Sequence, residues 1–411
     1  MTRSKQPWTW FFATRCRTTA VALTMALALT VVAIQAHAQQ WTLHVLHDFT
    51  DGPDGAVPLA GLTMDSAGEL YGTANLGGPV NAGTVFKLKH SGSGWAFTVL
   101  YSFTGSQDGA GPQARVIFGP NGNLYGTTTG GGPDGQGVVF ALSPLARVCR
   151  SPSCPWTESM IYRFPGGADG TQPETGDVIF DAAGNLYGTT AHGGDSSGDG
   201  VAYELTPSHG SWSESDLNKF GTAGIYPYSG LISDGFGNWY GTTTKGGAGF
   251  GTVYELSPLG SGWQEKTLYT FQGLADGGYP YGGLIFDHSG NLYGTTSYYG
   301  TVFKLTPSLR GEWSKTPLYT FTGNAGPNGS LIMDAAENLY GITAQNDPNT
   351  AGEAFKLTLA GVYTDLYDFQ AGRDGAFPQG GVVMDASGNL YGTAELGGAY
   401  GDGTVWQLTP Q

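Results

Sequence analysis

A few charged side chains interrupt an otherwise repetitive sequence, and these are the residues best suited to chemistry. Arg115 stands where the comparable segments carry a small residue, and Asp177 lies in the matching stretch of the next segment. The loop that follows contains His192, Asp195 and Asp199. Glycosidases use two carboxyl groups, roughly 5 to 9.5 Å apart, as acid and as base or nucleophile. This asymmetric set is therefore the candidate site of a secreted carbohydrate-active hydrolase or lyase.

The loop from 192 to 200 also matches two short motifs. Its Gly-x-Ser-x-Gly pattern exposes a nucleophile in hydrolases only on a strand–turn–helix elbow, and no helical pattern follows here. Asp195 and Asp199 begin a calcium-loop pattern and offer hard oxygen ligands, but position twelve is Thr206 instead of a bidentate Glu. We expect no cofactor, with calcium at these two carboxylates as the alternative.

A second set of carboxylates recurs along the chain, in an Asp-Gly pair shortly before a repeated proline: Asp54, Asp108, Asp169, Asp276 and Asp374. A residue that the repeat unit itself needs appears in every unit, whereas a catalyst needs one asymmetric arrangement. The first interpretation is that these Asp residues cap turns by accepting backbone N–H bonds. The alternative is an acidic ring on one face, where cations or sugar hydroxyls bind.

The elements that must position these residues come from sevenfold internal repetition. A Leu-Tyr-Gly or Trp-Tyr-Gly motif places its tyrosine at 71, 125, 187, 240, 293, 340 and 391. Each copy contains four short runs rich in β-branched and aromatic residues, separated by Gly, Asn and Asp turns. Repeats of about 40–50 residues with four strand-like runs are typical of propeller blades. The sequence predicts an all-β, seven-bladed β-propeller with four-stranded blades.

The order of the runs predicts how the ring closes. The first run after the leader, 41–49, is of the fourth type, and the last copy ends with its third run at 403–409. A blade that lacked its outer strand would expose an unpaired edge. We therefore expect 41–49 to pair with 403–409, which gives six complete blades and one composite blade.

The fourth runs also begin, in six copies, with a tryptophan: Trp41, Trp95, Trp156, Trp212, Trp263 and Trp313. Tryptophan stripes stack on sugars in some proteins, but a tryptophan at one fixed strand position more often fills the space between blades. We expect packing.

Composition and charge limit the location and the partners of the protein. Residues 1–38 combine a basic start, an apolar run too short to span a bilayer and an Ala-His-Ala cleavage pattern, which predicts a signal peptide. The mature chain, 39–411, should form one propeller domain in the periplasm or outside the cell, without a membrane span and as a monomer. Its formal charge moves from −15 to −19 when four basic residues leave with the leader (−15 − 4), so nucleic acid is a poor partner. Cys149 and Cys154 then remain as a pair, and we expect a local disulfide.

The repeated units resemble a known family. Segments such as Gly290–Thr296 and Gly251–Leu256 look like the GloVer tandem repeat of exported bacterial choice-of-anchor proteins. The resemblance covers the mature chain and implies an exported, propeller-like protein with no assigned activity and no catalytic residue to transfer. We expect a binding or scaffolding module whose partner is a glycan or a cell-envelope component. The alternatives are the hydrolase or lyase above and a purely structural repeat.

Overall fold

Twenty-eight β-strands make up nearly all the regular structure of the described chain. The computed structural model describes residues 40–92, 94–144, 156–322, 326–344 and 351–411. Trp41–Pro410 form one compact unit. Two short 3-10 helices, Gly167–Asp169 and Leu274–Asp276, are the only helices in the described part. None of the described helices is long and apolar enough to cross a membrane.

The strands form seven antiparallel sheets of four, each taken here as one blade. Blades 1 and 2 consist of β2 (Thr63–Met64), β3 (Leu70–Ala74), β4 (Thr84–Ser91), β5 (Gly94–Ser102), and β6 (Ile117–Phe118), β7 (Leu124–Thr128), β8 (Val138–Ser143), β9 (Thr157–Arg163). Blades 3 and 4 consist of β10 (Ile179–Phe180), β11 (Leu186–Thr190), β12 (Val201–Ser208), β13 (Ser211–Lys219), and β14 (Ile232–Ser233), β15 (Trp239–Thr243), β16 (Thr252–Leu259), β17 (Gly262–Thr270). Blades 5 and 6 consist of β18 (Ile285–Phe286), β19 (Leu292–Thr296), β20 (Thr301–Pro307), β21 (Trp313–Thr320), and β22 (Ile332–Met333), β23 (Leu339–Thr343), β24 (Glu353–Leu357), β25 (Tyr363–Asp368). Blade 7 consists of β26 (Val383–Met384), β27 (Leu390–Ala394), β28 (Thr404–Pro410) and the first strand, β1 (Trp41–Asp48).

Blade 7 closes the ring as the sequence predicts. Strand β1 pairs antiparallel with β28, from Trp41 opposite Pro410 to Asp48 opposite Thr404. The prediction of a seven-bladed propeller, all-β and closed by its first and last strands, is thereby confirmed.

The Leu-Tyr-Gly motif forms the second strand of each blade, which is buried along its whole length. Its glycine is needed because an aromatic ring from the third strand lies against it. A Cβ added at Gly294 would lie 2.7 Å from the Phe303 ring, and one at Gly392 would lie 2.4 Å from the Trp406 ring. Any side chain here would displace that aromatic ring from the blade core.

The Asp in the turn between the first two strands stabilises that turn through hydrogen bonds. In blade 5, Asp287 accepts backbone N–H bonds from Ser289 and Asn291 (both 2.9 Å), an amide bond from Asn291 and the hydroxyl bond of Tyr293 (2.9 Å). Burial alone would raise the pKa of Asp287, but these bonds lower it below its ordinary value. Similar bonds occur in blades 1, 3, 4, 6 and 7, so the turn carries structure and no free carboxylate.

Tryptophans of the fourth strands pack between blades. Trp95 of blade 1 meets Tyr391 of blade 7 with ring centroids 5.8 Å apart, and Trp313 of blade 5 meets Tyr240 of blade 4 at 6.4 Å. The edge-to-face geometry is the one that aromatic pairs favour. The tryptophan stripe is therefore a seam between neighbouring blades.

The first strands are much shorter than the sequence pattern suggests. The run Gly282–Phe286 reads as one strand, but only Ile285–Phe286 pair with β19. The reason is the close approach of neighbouring blades, since a Cβ at Gly282 would lie 2.6 Å from the carbonyl oxygen of Gly329. The glycine segment thus leaves its own sheet and contacts the next blade at the channel wall.

Candidate functional site

Two loops of each blade meet on one face of the ring, called here the loop face. They are the loop that leads into the first strand and the loop between the second and third strands. Among the described residues, isolated bridges join them in six blades, as Thr171 to His192 in blade 3 and Gly278 to Tyr298 in blade 5. Every candidate residue in these loops therefore belongs to the same face.

The repeated proline holds each blade against the one before it. A Cβ at Gly251, which precedes β16 of blade 4, would lie 2.8 Å from the Cδ atom of Pro280 in blade 5. Gly251 has φ of +92°, so its lack of a side chain serves both the turn and the contact. The same proline-on-glycine contact recurs at six of the seven blade junctions: Gly83 with Pro112, Gly137 with Pro173, Gly200 with Pro227, Gly251 with Pro280, Gly352 with Pro378 and Gly403 with Pro58.

The residue before the proline carries backbone strain. Tyr226 and Tyr279 have φ of 61° and 52°, in the left-handed region that costs a residue with a side chain roughly 1–2 kcal/mol. Their N–H groups donate to the carbonyl oxygens of Asp199 and Phe250 of the preceding blade, both at 2.9 Å. Strain of this kind persists where the surroundings fix it, often beside a functional site.

The residue after the proline varies in type between the blades. Its seven occurrences define what we call the mouth ring: Leu59, Gln113, Glu174, Tyr228, Tyr281, Asn328 and Gln379. All seven line one cavity of about 1330 Å³ at the centre of the propeller. The proline fixes the position of the backbone from which each side chain extends. Because these side chains differ between blades, the mouth has an asymmetric lining. This position combines a constant backbone with different side chains.

Deeper in the cavity the first strands supply an apolar wall. Ile117, Ile179, Ile232, Ile285 and Ile332 each contribute to the lining, one from each of five successive blades. The cavity thus has a polar and aromatic mouth above an apolar channel, which is the usual balance in small-molecule sites.

Arg115 and Asp177, both singled out from the sequence, form an ion pair in this cavity. The guanidinium donates Nη2–H and Nε–H to Asp177 Oδ2 at 2.7 and 3.0 Å. The second oxygen, Oδ1, accepts the backbone N–H of Arg115 at 2.9 Å. Both charges are thus largely satisfied by each other, and the pair ties blade 2 to blade 3 across the channel wall.

Glu174 is the remaining charged residue among those that line the cavity. It has no hydrogen-bond or ion-pair partner among the described residues, and burial raises the pKa of its carboxyl group. Tyr228 and Tyr281 stand beside it with ring centroids 5.4 Å apart and planes at 45°. Burial and then the negative charge of Glu174 raise the pKa of both tyrosines, to about 12 for Tyr228, so their hydroxyls stay protonated donors.

A further aromatic group extends the mouth at blade 5. Tyr279 and Tyr298 line the cavity with ring centroids 5.3 Å apart, and Phe250 stacks parallel to Tyr298 at 6.2 Å. Aromatic surface is therefore concentrated on the side of the mouth formed by blades 4 and 5.

The other members of the asymmetric set lie away from the cavity. The ring of His192 packs against Tyr226 at 5.0 Å, and Asp195 accepts the backbone N–H of Ser197 at 2.7 Å. Asp199 contributes its carbonyl oxygen to the loop contact described above. None of the three lines the cavity, and the described residues include no group of three or more His, Cys, Asp or Glu that fits a metal ion.

Three of the five repeated Asp residues accept a backbone N–H bond within their own loop. Asp108 accepts the backbone N–H of Thr104 at 2.9 Å, and Asp374 accepts that of Gln370 at 2.8 Å. Asp276 accepts the N–H of Gln272 and pairs with Lys315, both at 2.8 Å.

The other two repeated Asp residues, Asp54 and Asp169, bond to side chains. Asp54 bonds to Thr50 and His47, and Asp169 accepts the hydroxyl of Tyr162. None of the five lines the cavity. Cys149, Cys154 and the leader 1–38 lie outside the described residues, so the disulfide and the signal peptide stay predictions.

Sequence reasoning missed the mouth ring. It weighed Arg115 and Asp177 because they depart from the repeat, but passed over the position after the proline, where nearly every copy differs. Variation at a fixed position inside a regular repeat was the available signal. Glu174 is the residue that this signal would have found.

Seven four-stranded blades around a lined central channel define a seven-bladed β-propeller. The chain belongs to the family described as the Gloeobacter/Verrucomicrobia repeat, whose model matches residues 30–153, 151–326 and 297–411. No curated protein matches it.

Solved structures with a similar fold include two proteins provisionally named 6-phosphogluconolactonases. The one from Bacteroides fragilis has 17% identity and a TM-score of 0.50, and the match covers 79% of this chain and 86% of that one. The one from Bacteroides uniformis has 14% identity and a TM-score of 0.47, with 77% and 85% covered. At such identities the likeness concerns the fold alone.

Proposed function

We propose that this protein is a binding module that holds a carbohydrate in the mouth of its central channel. The observation that carries the proposal is the mouth ring, in which seven equivalent positions present five kinds of side chain to one cavity. The ring offers tyrosine faces for stacking on a sugar, and amides and hydroxyls for its hydroxyl groups.

The competing interpretation, a hydrolase or lyase, has less support from the cavity. It needs two carboxyl groups free to act on opposite sides of a bond. Glu174 and Asp177 both line the cavity, but Asp177 is committed to Arg115 through both of its oxygens. One free carboxyl group suits recognition better than hydrolysis.

Replacing the mouth tyrosines should weaken binding. We expect Tyr228→Ala and Tyr281→Ala each to lower the affinity for the bound oligosaccharide by about tenfold or more, because each removes a stacking face and a hydroxyl donor. A glycan array would identify the oligosaccharide, and isothermal titration calorimetry would measure the change. Phe236→Ala is the matched control, since Phe236 is 89% exposed in the turn at the opposite end of the blade 4 strands. Equal affinity of all four proteins, or no glycan bound at all, would refute the proposal.

We also propose that the protein acts after export to the periplasm or the exterior. The basic start, short apolar run and Ala-His-Ala pattern of residues 1–38 support this location. Expression of the full chain in a Gram-negative host should yield a protein that begins at Gln39, measured by intact mass of the periplasmic and medium fractions. A full-length chain that begins at Met1 and stays in the cytoplasm would contradict export.

A further inference from the structure

The charges that line the cavity leave one negative charge without a partner. Of Arg115, Asp177 and Glu174, the first two neutralise each other at 2.7 Å. Glu174 has no charge partner among the described residues, and its charge acts on Tyr228 and Tyr281, which line the same cavity with their rings 5.4 Å apart. The lining therefore carries a formal charge of −1 (+1 − 1 − 1), concentrated at one place in the ring.

A carboxylate next to two tyrosine rings is a suitable site for a cation. The ring faces attract positive charge through their quadrupoles, and the carboxylate supplies a charge-assisted hydrogen bond. A half-buried carboxylate that loses contact with water is costly unless a ligand restores a partner. A neutral sugar would leave Glu174 with hydroxyl donors only, whereas an ammonium group would neutralise it.

We infer that the ligand of the mouth ring carries a primary ammonium group beside its hydroxyl groups, as an amino sugar does, and that Glu174 selects it. This inference rests on the proposed function, because it names the class of carbohydrate that the same site takes. The ammonium lies between the carboxyl group of Glu174 and the rings of Tyr228 and Tyr281, and the hydroxyl groups reach the amides of the ring. The large negative charge of the whole chain also favours a positively charged ligand.

The test compares three tetramers of one linkage: β-1,4-linked glucosamine, its N-acetylated form and glucose. Calorimetric titration of the full mature protein near neutral pH should show the glucosamine tetramer binding about tenfold or more tighter than the other two. Glu174→Gln should remove this preference, because the affinity for the glucosamine tetramer falls about tenfold toward that for the glucose tetramer. Asp195→Asn removes a charge of the same sign from the same face outside the cavity, so it should keep the preference.

Each outcome bears on a different statement. If the glucosamine and glucose tetramers bind equally well, the inference about Glu174 is wrong and the proposed function stands. If no tetramer binds, both are wrong for this class of sugar. If Asp195→Asn reduces the preference as much as Glu174→Gln does, the effect belongs to the overall charge and the inference fails. Free lysine binding as tightly as the glucosamine tetramer would show that an amine without a sugar suffices, which also overturns it.

Discussion

A chain that lacks strand β1 should lose most or all of its folding stability. Trp41 and Leu43 pack into the core of blade 7 beside Trp406 and Leu408, and the pairing with β28 runs from Trp41 to Asp48. Without this strand, β28 presents an open edge and blade 7 loses the side chains that cover it. The loss should be comparable with the whole free energy of unfolding of a domain, roughly 5–15 kcal/mol. Circular dichroism with urea titration would measure it.

The matched control restores the strand at the other end of the chain. Because Trp41 lies opposite Pro410, residues 41–48 can follow β28 through a tight turn, as the fourth strand follows the third in the other six blades. A chain that begins at Phe49 and carries this appended strand should recover a cooperative transition and the urea midpoint of the native chain. If the truncated chain unfolds at the native midpoint, the ring does not depend on β1 for closure.

Raising the pH from about 5 to about 8 should destabilise the protein through two half-buried glutamates of the fourth strands. Glu158 and Glu214 lie opposite Leu142 and Leu205 of the third strands. Each has its Oε1 atom buried without a hydrogen-bond partner among the described residues. Burial, and then the charge of Asp108, raises the pKa of Glu158 to about 7. Each of these carboxyl groups therefore favours its protonated form in the folded protein.

Glu214 stands in a more crowded acidic surrounding. Burial raises its pKa first, followed by the charges of Asp216 and Asp169, while Lys219 acts in the opposite direction, and the result is about 8. In blade 5 the equivalent residue, opposite Leu305, is Lys315, which pairs with Asp276 instead. At this position blade 3 thus holds the carboxyl groups of Glu214 and Asp169 near each other, whereas blade 5 holds the ion pair of Lys315 with Asp276.

The sign of the effect follows from proton binding. The folded protein holds these protons to higher pH than the unfolded chain, so stability falls as pH rises from about 4.5 to about 8. In full, these shifts are worth about 3 kcal/mol for Glu158 and about 5 kcal/mol for Glu214, and solvent screening at the half-buried sites reduces each to about 1 kcal/mol. The lowered pKa of Asp287 and Asp385 acts in the other direction, and their contribution is lost only as pH falls below their ordinary pKa of 3.8. The melting temperature should therefore be highest near pH 5.

Single substitutions isolate this contribution. Glu158→Gln should raise the free energy of unfolding at about pH 8 by about 1 kcal/mol and change little near pH 5. Glu158→Lys should stabilise further at about pH 8. The new lysine would pair with Asp108 in blade 2, as Lys315 pairs with Asp276 in blade 5. Glu312→Gln, at an exposed position, is the control and should change neither value. A melting temperature that rises steadily from pH 5 to 8 in the native chain would contradict the role of these groups.

The fold was predictable because its determinants repeat. A residue that supports the blade, such as the glycine beside the Phe303 ring or the Asp that fastens Tyr293, recurs in copy after copy, and so its role can be inferred from the pattern. The closure followed from the order of the strands. The length of the first strand was not predictable, because the contact of Gly282 with Gly329 joins different blades.

The candidate site was predictable only in part. Arg115 and Asp177 attracted notice as departures from the repeat, and the structure places them in contact. Glu174 did not, because its position has no common residue from which to depart. His192 and Asp195 share the loop face with the cavity but not its lining, since distance from the channel axis cannot be deduced from spacing along the chain.

The most direct test of the central claim, that the mouth ring binds the ligand, is a crystal structure of the mature protein with the oligosaccharide that binds it most tightly. Sugar density across the channel mouth, in contact with Tyr228 and Tyr281, is the expected result. Density only along the outer strands, or in the loop of His192 and Asp195 with the mouth left open, would contradict the claim.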